Sequence, residues 1–271
     1  MKFAFDFPLL TVKNVIQAAF NHAFETGQQT LRHMSLASNG PRRRTGARWN
    51  PSSLFMCLRK QVYKAHKVAA KEVQVGYDDQ IVFDRGHMVG SWLAAYARAA
   101  EDAGLIHNVR AQCADRTEEL SIHPELQVGG FRDVSFEDNL GRRYIWEIKS
   151  KATNSAMDKI SLDKKHGGQG QIYLHSPGED GAYADHLIVA YAGLVERNER
   201  QGLEIVEYPQ ERRPEVFSEL ERRVSQLNWF YEDPTLLAPL SDAMARECPN
   251  CPYQHVCMRN LTPAQAVDEG P

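Results

Sequence analysis

Residues 128–150 read Val128-Gly129-Gly130-Phe131-Arg132-Asp133-Val134-Ser135-Phe136-Glu137-Asp138-Asn139-Leu140-Gly141-Arg142-Arg143-Tyr144-Ile145-Trp146-Glu147-Ile148-Lys149-Ser150. Two strand-like runs, Gln127–Phe136 and Arg143–Lys149, flank the turn-forming cluster Glu137–Gly141, and this pattern predicts a β-hairpin. Alternation along the second strand sends Glu147 and Lys149 to one face. Tyr144, Trp146 and Ile148 point the other way, into packing. Asp133 lies on the first strand, after Gly130. A carboxylate beside an ammonium, across from a second carboxylate, is a costly arrangement unless a cation or a substrate uses it. A surface strand with a cross-strand Asp–Lys pair explains the same residues more plainly, and the hairpin alone does not choose.

Outward from the hairpin the chain alternates helices and strands. Downstream, a short helix is expected over 153–163 and another from about Gly168 through Tyr173. On the latter, Gln169 and Tyr173 are four apart and share a face. Lys164, Lys165 and His166 precede it, where phosphates would be gripped. Leu187–Leu194 reads as a buried strand, Leu203–Tyr208 as its neighbour, and 214–232 as a charged amphipathic helix. The last ten residues read as a frayed tail. Upstream, helical spacing runs over 10–35 (Val12, Val15, Ile16, Phe20, Phe24), from Ser52 to about Lys67, and from Gly86 to Gly104. A polar linker, Ser35–Gly46, separates the first two and carries Arg42, Arg43 and Arg44. Glu125, eight residues before Asp133, is placed to support the site.

Bulk properties narrow the function classes. The 271 residues are 42% hydrophobic and 25% charged, ordinary for a globular chain. The longest apolar run, near Leu187–Val195, is far below the ~20 residues that span a bilayer, so no membrane partner is expected. The N-terminus carries Asp6 within its apolar stretch and lacks a small-residue cleavage site, which points to a cytoplasmic protein with reduced thiols. Net charge is −3, which argues against nonspecific coating of nucleic acid. Positive charge is nevertheless concentrated at the hairpin and just beyond, in Arg142, Arg143, Lys149, Lys151, Lys159, Lys164 and Lys165, as suits a polyanion.

Near the C-terminus Cys248, Cys251 and Cys257 form a Cys-x2-Cys-x5-Cys loop with three thiols. Cys57 supplies a fourth from the far end of the chain. In a reducing compartment this odd set of five cysteines reads as a metal or cluster site rather than as disulfides. Four thiolates suit either zinc or an iron–sulfur centre, and His255 is a possible zinc ligand. Cys113 stands outside the pattern and reads as a core thiol.

Hydrolysis of a phosphodiester needs a divalent cation on hard oxygens, a positioned water and a cation to offset developing charge. Gly130-Phe131-Arg132-Asp133, Glu147-Ile148-Lys149 and Gln169-Gly170-Gln171-Ile172-Tyr173 resemble motifs of the PD-(D/E)XK nucleases, in particular the RecB-like branch. The resemblance implies that Asp133 and Glu147 bind Mg²⁺ or Mn²⁺, with the Ile148 backbone carbonyl as a further ligand. It implies that Lys149 handles the attacking water, and that Gln169 and Tyr173 contact the site or the DNA. That family usually carries a histidine ligand on an early helix, four residues after a glycine. Here Gly90 occupies that position, and His87, one helical turn away, is the candidate substitute.

Pro51-Ser52-Ser53-Leu54-Phe55-Met56-Cys57 resembles the N-terminal cysteine motif of iron–sulfur RecB-like nucleases of the CRISPR-adaptation, AddB and phage exonuclease type. Leu58 departs from it, since proline often follows that cysteine. The resemblance implies a [4Fe–4S] cluster on Cys57, Cys248, Cys251 and Cys257. Arg59 and Lys60, beside Cys57, would face DNA or solvent.

The expected fold is α/β: a mixed central sheet flanked by helices, with an iron–sulfur subdomain joining both ends of the chain. Residues 1–50 would form an N-terminal helix and basic linker. The nuclease domain would cover 51–257, with its iron–sulfur part in about 51–80 plus 240–257, and 258–271 would form a flexible tail. The expected activity is a metal-dependent DNA exonuclease acting on ends or single strands, with a helicase or recombination protein as a possible partner. The alternatives are a catalytically inactive DNA-binding subunit of the same fold and a zinc-stabilised interaction protein.

Overall fold

The structure, a computed structural model, describes residues 10–26, 47–71, 77–111, 126–151, 157, 159–178, 180–197, 200–240 and 247–268. Five strands form one mixed sheet in the order β1-β2-β3-β4-β5: β1 (Ile106–Ala111), β2 (Val134–Asp138), β3 (Arg143–Ser150), β4 (His186–Arg197) and β5 (Arg200–Gln210). The β3–β4 pairing is parallel and the other three are antiparallel. The described helices are α1 (Val12–Thr26), α2 (Leu58–Ala65), α3 (Tyr77–Asp102), α4 (Lys164–Leu174), α5 (Pro214–Glu232), α6 (Gln254–Cys257) and α7 (Pro263–Asp268). A 3-10 turn at Pro51–Ser53 precedes α2. The α/β class and the mixed central sheet match the expectation.

The apolar run of β4 is explained by burial on both faces, as expected for a strand in the middle of a covered sheet. Ile188, Ala190 and Ala192 join Tyr144, Trp146 and Phe136 beneath Val12 and Val15 of α1 and Val89, Leu93 and Ala97 of α3. Leu187, Val189 and Tyr191 point the opposite way, into a cluster with Ile145 and with Tyr173 and Leu174 of α4. Helix α4 therefore covers the face of β3 that carries Glu147 and Lys149. Trp146 and Tyr144 lie fully buried on the other face, with Ile148 packed beside them.

The hairpin turn is locked by Asp138. Its carboxylate accepts from the backbone N–H groups of Leu140 and Arg142, both at 2.9 Å, and from Arg142 Nε at 2.6 Å. These charge-assisted bonds outweigh the cost of burial and hold the Asp138 carboxyl below its usual range.

Several elements differ from expectation. Strand β2 spans Val134–Asp138 rather than Gln127–Phe136, so Asp133 stands just before it rather than on it, and helix α2 begins at Leu58 rather than Ser52. Strand β1 is not visible in period-two alternation, because a bulge between His107 and Arg110, with Asn108 at φ 55°, breaks the pattern. Helix α3 begins at Tyr77 rather than Gly86. Helix α4 starts at Lys164 rather than Gly168, because Asp163 caps it by accepting from Lys165 N at 2.8 Å. Its glycines are packing positions rather than a break. A Cβ on Gly168 would lie 2.0 Å from Cζ of Phe55.

The chain end is also ordered through Asp268, contrary to the expected tail. In α7, Thr262 N donates to Gln265 Oε1 at 2.9 Å and Gln265 N to Thr262 Oγ1 at 3.4 Å, a reciprocal cap, and Ala266 is buried against Tyr63 and Val68. The linker Ser35–Gly46 with its arginines, Cys113 and Glu125 lie outside the described residues, as do 153–156 and 158 of the helix expected over 153–163; residues 159–163 are turn and irregular chain rather than helix.

Candidate functional site

Asp133 sits one residue before β2. The β2–β3 register pairs Val134 with Trp146, so continuing it by one residue sets Asp133 opposite Glu147. The approach to Asp133 is held close to the 3-10 turn. A Cβ on Gly130 would meet Pro51 Cδ at 2.8 Å, so glycine is required there. Asp133 Oδ2 accepts from the Ile148 backbone N–H at 2.7 Å, which fixes this carboxylate beside both neighbours of Ile148.

From there a continuous hydrogen-bond chain runs into α4. Lys149 Nζ donates to Glu147 Oε1 and to Gln169 Oε1, the latter at 3.2 Å. Gln169 Nε2 donates to the Tyr173 hydroxyl at 3.0 Å, and that hydroxyl donates to the Phe131 carbonyl at 3.0 Å. Asp133, Glu147, Lys149, Gln169 and Tyr173 are thus brought together by one face of the central strand β3, the approach to β2 and one helix face. The i,i+4 spacing on α4 and the i,i+2 spacing on β3 do the placing.

The electrostatics are those of two carboxylates crowded in a low-dielectric place. Burial, and then the charge of Asp133, push the Glu147 carboxyl up to about 8 against the opposing pull of Lys149. Burial also raises Asp133, opposed by Lys149 and the Ile148 N–H. Burial alone would lower Lys149, but Glu147 and Asp133 outweigh it and keep the ammonium charged. Tyr173 is raised well above its ordinary range, first by burial and then by the two carboxylates. Its hydroxyl is therefore a hydrogen-bonding group and not an anion.

Glu147 is 1% exposed, and its second oxygen, Oε2, is buried without a hydrogen-bond partner. A buried carboxylate oxygen with nothing to accept from is unfavourable by itself. Two adjacent carboxylates with an unused oxygen fit a hard divalent cation, and Mg²⁺ sites commonly use one or two protein carboxylates plus substrate phosphate. His87 is not drawn into this arrangement. It stands exposed on α3, and among the described residues it makes no hydrogen bond to Asp133 or Glu147. A Cβ added at Gly90 would meet nothing within 4 Å. Among the described residues no three His, Cys, Asp or Glu side chains close on one point as a complete set of ligands.

Beside the carboxylates, His166 Nδ1 lies 2.9 Å from the hydroxyl of Tyr191, which pairs with Lys149 in the parallel ladder. Burial, followed by Lys149, pulls His166 down to about 4, so its imidazole is neutral near neutral pH. Reading the sequence missed Arg132. It is 4% exposed and ties the site's approach to the end of α4, donating to the carbonyls of Tyr173 at 3.2 Å and Ser176 at 2.8 Å. A charged residue directly before Asp133 gives no signal of burial.

Cys57, Cys248, Cys251 and Cys257 line a single cavity of about 250 Å³, along with Lys60, Tyr63 and Glu247. All four are free thiols. Burial raises Cys248 and Cys251, and the other thiols of the group raise them further. Glu247 Oε2 accepts from Cys57 N at 2.8 Å, and Arg223 donates to the carbonyls of Leu54 and Met56 just before it. The four cysteines, brought from both ends of the described chain, thus face one space. His255 is not among the cavity-lining residues.

No family model matches the chain, and no curated protein matches it. Among solved structures it is similar to the crystal structure of SSO0001 at a TM-score of 0.43 and 13% identity, over 93% of this chain and 97% of that one. No helix among the described residues is long and apolar enough to cross a membrane.

Proposed function

We propose that this chain is a metal-dependent deoxyribonuclease that hydrolyses phosphodiester bonds at DNA ends or in single strands. The observation that carries the reading is the unpartnered Glu147 Oε2, buried beside Asp133 and Lys149. Asp133 and Glu147 would hold Mg²⁺ or Mn²⁺, with the Ile148 carbonyl as a third protein oxygen. When bound, the cation supplies positive charge at a phosphate oxygen and makes a coordinated water more acidic.

The remaining chemistry falls to the chain's own side chains. Lys149 stays cationic between Glu147 and Gln169, and as a donor it orients the attacking water and offsets charge on the phosphate. Gln169 fixes the Lys149 ammonium, and Tyr173 fixes Gln169 through a hydroxyl anchored on Phe131. Cys57, Cys248, Cys251 and Cys257 would hold a [4Fe–4S] cluster that joins α2 to the C-terminal segment. Closing a loop of about 200 residues in this way is stabilising on chain-entropy grounds. DNA is the proposed partner, with a helicase or recombination protein as a further one.

A second reading has one observation in its favour. Position 90 lacks a side chain and His87 stays exposed, so the metal site has fewer ligands than the family pattern supplies. On that reading the chain binds DNA for another protein to cut. The test is cleavage of end-labelled single- and double-stranded DNA with Mn²⁺, Mg²⁺ or EDTA, using wild type and Lys149→Ala. Metal-dependent cleavage lost in the variant supports the nuclease, and the surviving label gives its polarity. Tight binding without cleavage supports the second reading.

A further inference from the structure

Arg59 lies at the start of α2, two residues after Cys57, and is only 6% exposed. Its sequence position suggests a solvent-facing or DNA-facing cation. The structure turns it inward instead. Nε donates to the Ala238 carbonyl at 2.7 Å, and Nη1 donates to Asn260 Oδ1 at 3.1 Å, the Cys257 carbonyl at 3.4 Å and Cys257 Sγ at 3.6 Å. These partners stand 179 to 201 residues away in sequence, on the segments that bring the other cysteines to Cys57.

The partners are two carbonyls, one amide and one thiol. Among the described residues none is a carboxylate. A guanidinium is charged at any working pH, and a buried charge needs a counter-charge. Glu247, in the same cavity, accepts from Cys57 N and acts on Arg223, so the anion that would answer the Arg59 guanidinium is the Cys257 sulfur once ligated, with whatever the four cysteines bind. Asn260 supports this geometry from a left-handed backbone position, φ 53°, that asparagine tolerates.

We infer that Arg59 is a positioning residue of the cysteine cradle, holding Cys257 in place and supplying the positive charge that makes an anionic iron–sulfur group favourable there. The inference rests on the cluster proposed above. Donors to ligand sulfur stabilise the more negative, reduced state and so raise a cluster's potential. Loss of a residue that orients a metal ligand typically weakens metal holding by about 10- to 100-fold.

The experiment uses full-length protein, anaerobically purified and reconstituted with iron and sulfide: wild type, Arg59→Met, Arg59→Lys and Asn260→Gly. Iron per chain, the rate of iron release to a ferrous chelator, the midpoint potential and near-ultraviolet circular dichroism are measured. Arg59→Met is expected to release iron about 10- to 100-fold faster and to show a lower midpoint potential. Arg59→Lys keeps the charge but not the fork, so it should restore the potential more than the lifetime. Asn260→Gly preserves the backbone, frees the guanidinium, and should fall between. If Arg59→Met does not fold, Arg59→Lys and Asn260→Gly carry the test alone. Release rates and potentials indistinguishable from wild type in the folded variants would overturn the role of Arg59. A wild type that incorporates no iron would instead remove the cluster itself, and this inference with it.

Discussion

The Ile148 backbone N–H donates to Asp133 Oδ2 at 2.7 Å, joining two residues that are fifteen apart in sequence. Ile148 lies between Glu147 and Lys149, so this one bond sets the Asp133 carboxylate against both. It also ties the irregular approach to β2 onto β3, just beyond that strand's most buried residues.

Asp133→Ala removes that bond together with one of two crowded carboxylates. Losing the bond costs about 1 kcal/mol, and relief of Glu147 offsets part of it. Stability in urea should therefore change little while cleavage falls by at least ~100-fold. A large loss of stability with cleavage retained would show that Asp133 is structural.

The raised Glu147 carboxyl has a definite pH signature. Its folded value, about 8, lies above the ordinary 4.5, so the metal-free folded state holds a proton that the unfolded chain releases. Stability from this group is full below the unfolded value and is lost as pH rises towards the folded one. Metal-free protein should thus lose melting temperature between about pH 5 and 8, by the equivalent of up to a few kcal/mol. Glu147→Gln should flatten the slope. Mn²⁺ should stabilise wild type increasingly over the same range, because it competes with the proton. An equally steep slope in Glu147→Gln would assign the effect elsewhere.

Tyr173→Phe deletes a hydroxyl that accepts from Gln169 and donates to the Phe131 carbonyl. The expected stability loss is about 1 to 2 kcal/mol, with the fold kept. Gln169 then loses its anchor and Lys149 its orientation, so single-turnover cleavage should slow by about 10-fold or more. A variant that cleaves at the wild-type rate would place Tyr173 in packing alone.

Gly168 lets α4 sit directly on Phe55, and a Cβ there would fall 2.0 Å from the ring. Gly168→Ala should cost about 1 to 3 kcal/mol in denaturant unfolding, as overpacking does. Phe55→Ala in the same chain should recover part of that loss, giving a non-additive double-mutant cycle. Additive effects would mean that the helix and the turn do not meet as described.

Much of this was legible in the sequence. The hairpin, the face shared by Glu147 and Lys149, and the pairing of Gln169 with Tyr173 follow from spacings of two and four. The structure joins all five polar side chains in one site. What stayed hidden depends on long-range partners or on local irregularity. The bulge at Asn108 erased the alternation of β1, and burial of Arg59 and Arg132 is decided by carbonyls distant in sequence. The last helix carried a readable signal in Thr262-Pro263-Ala264-Gln265, a cap with proline at its first position. Its closeness to the chain end suggested fraying instead. His87 matched a family position approximately, but the helix presents it to solvent.

A divalent cation shared by Asp133 and Glu147 is what distinguishes a nuclease from a DNA-binding chain of the same fold. The most direct measurement is electron paramagnetic resonance of Mn²⁺ titrated into metal-free protein, with and without a phosphorothioate oligonucleotide that resists cleavage. Wild type should remove free Mn²⁺ from solution with one site per chain, tighter with the oligonucleotide, and Asp133→Asn and Glu147→Gln should lose that site. A wild type that leaves all Mn²⁺ free under both conditions, or variants that bind it as wild type does, would contradict the metal centre and the nuclease built on it.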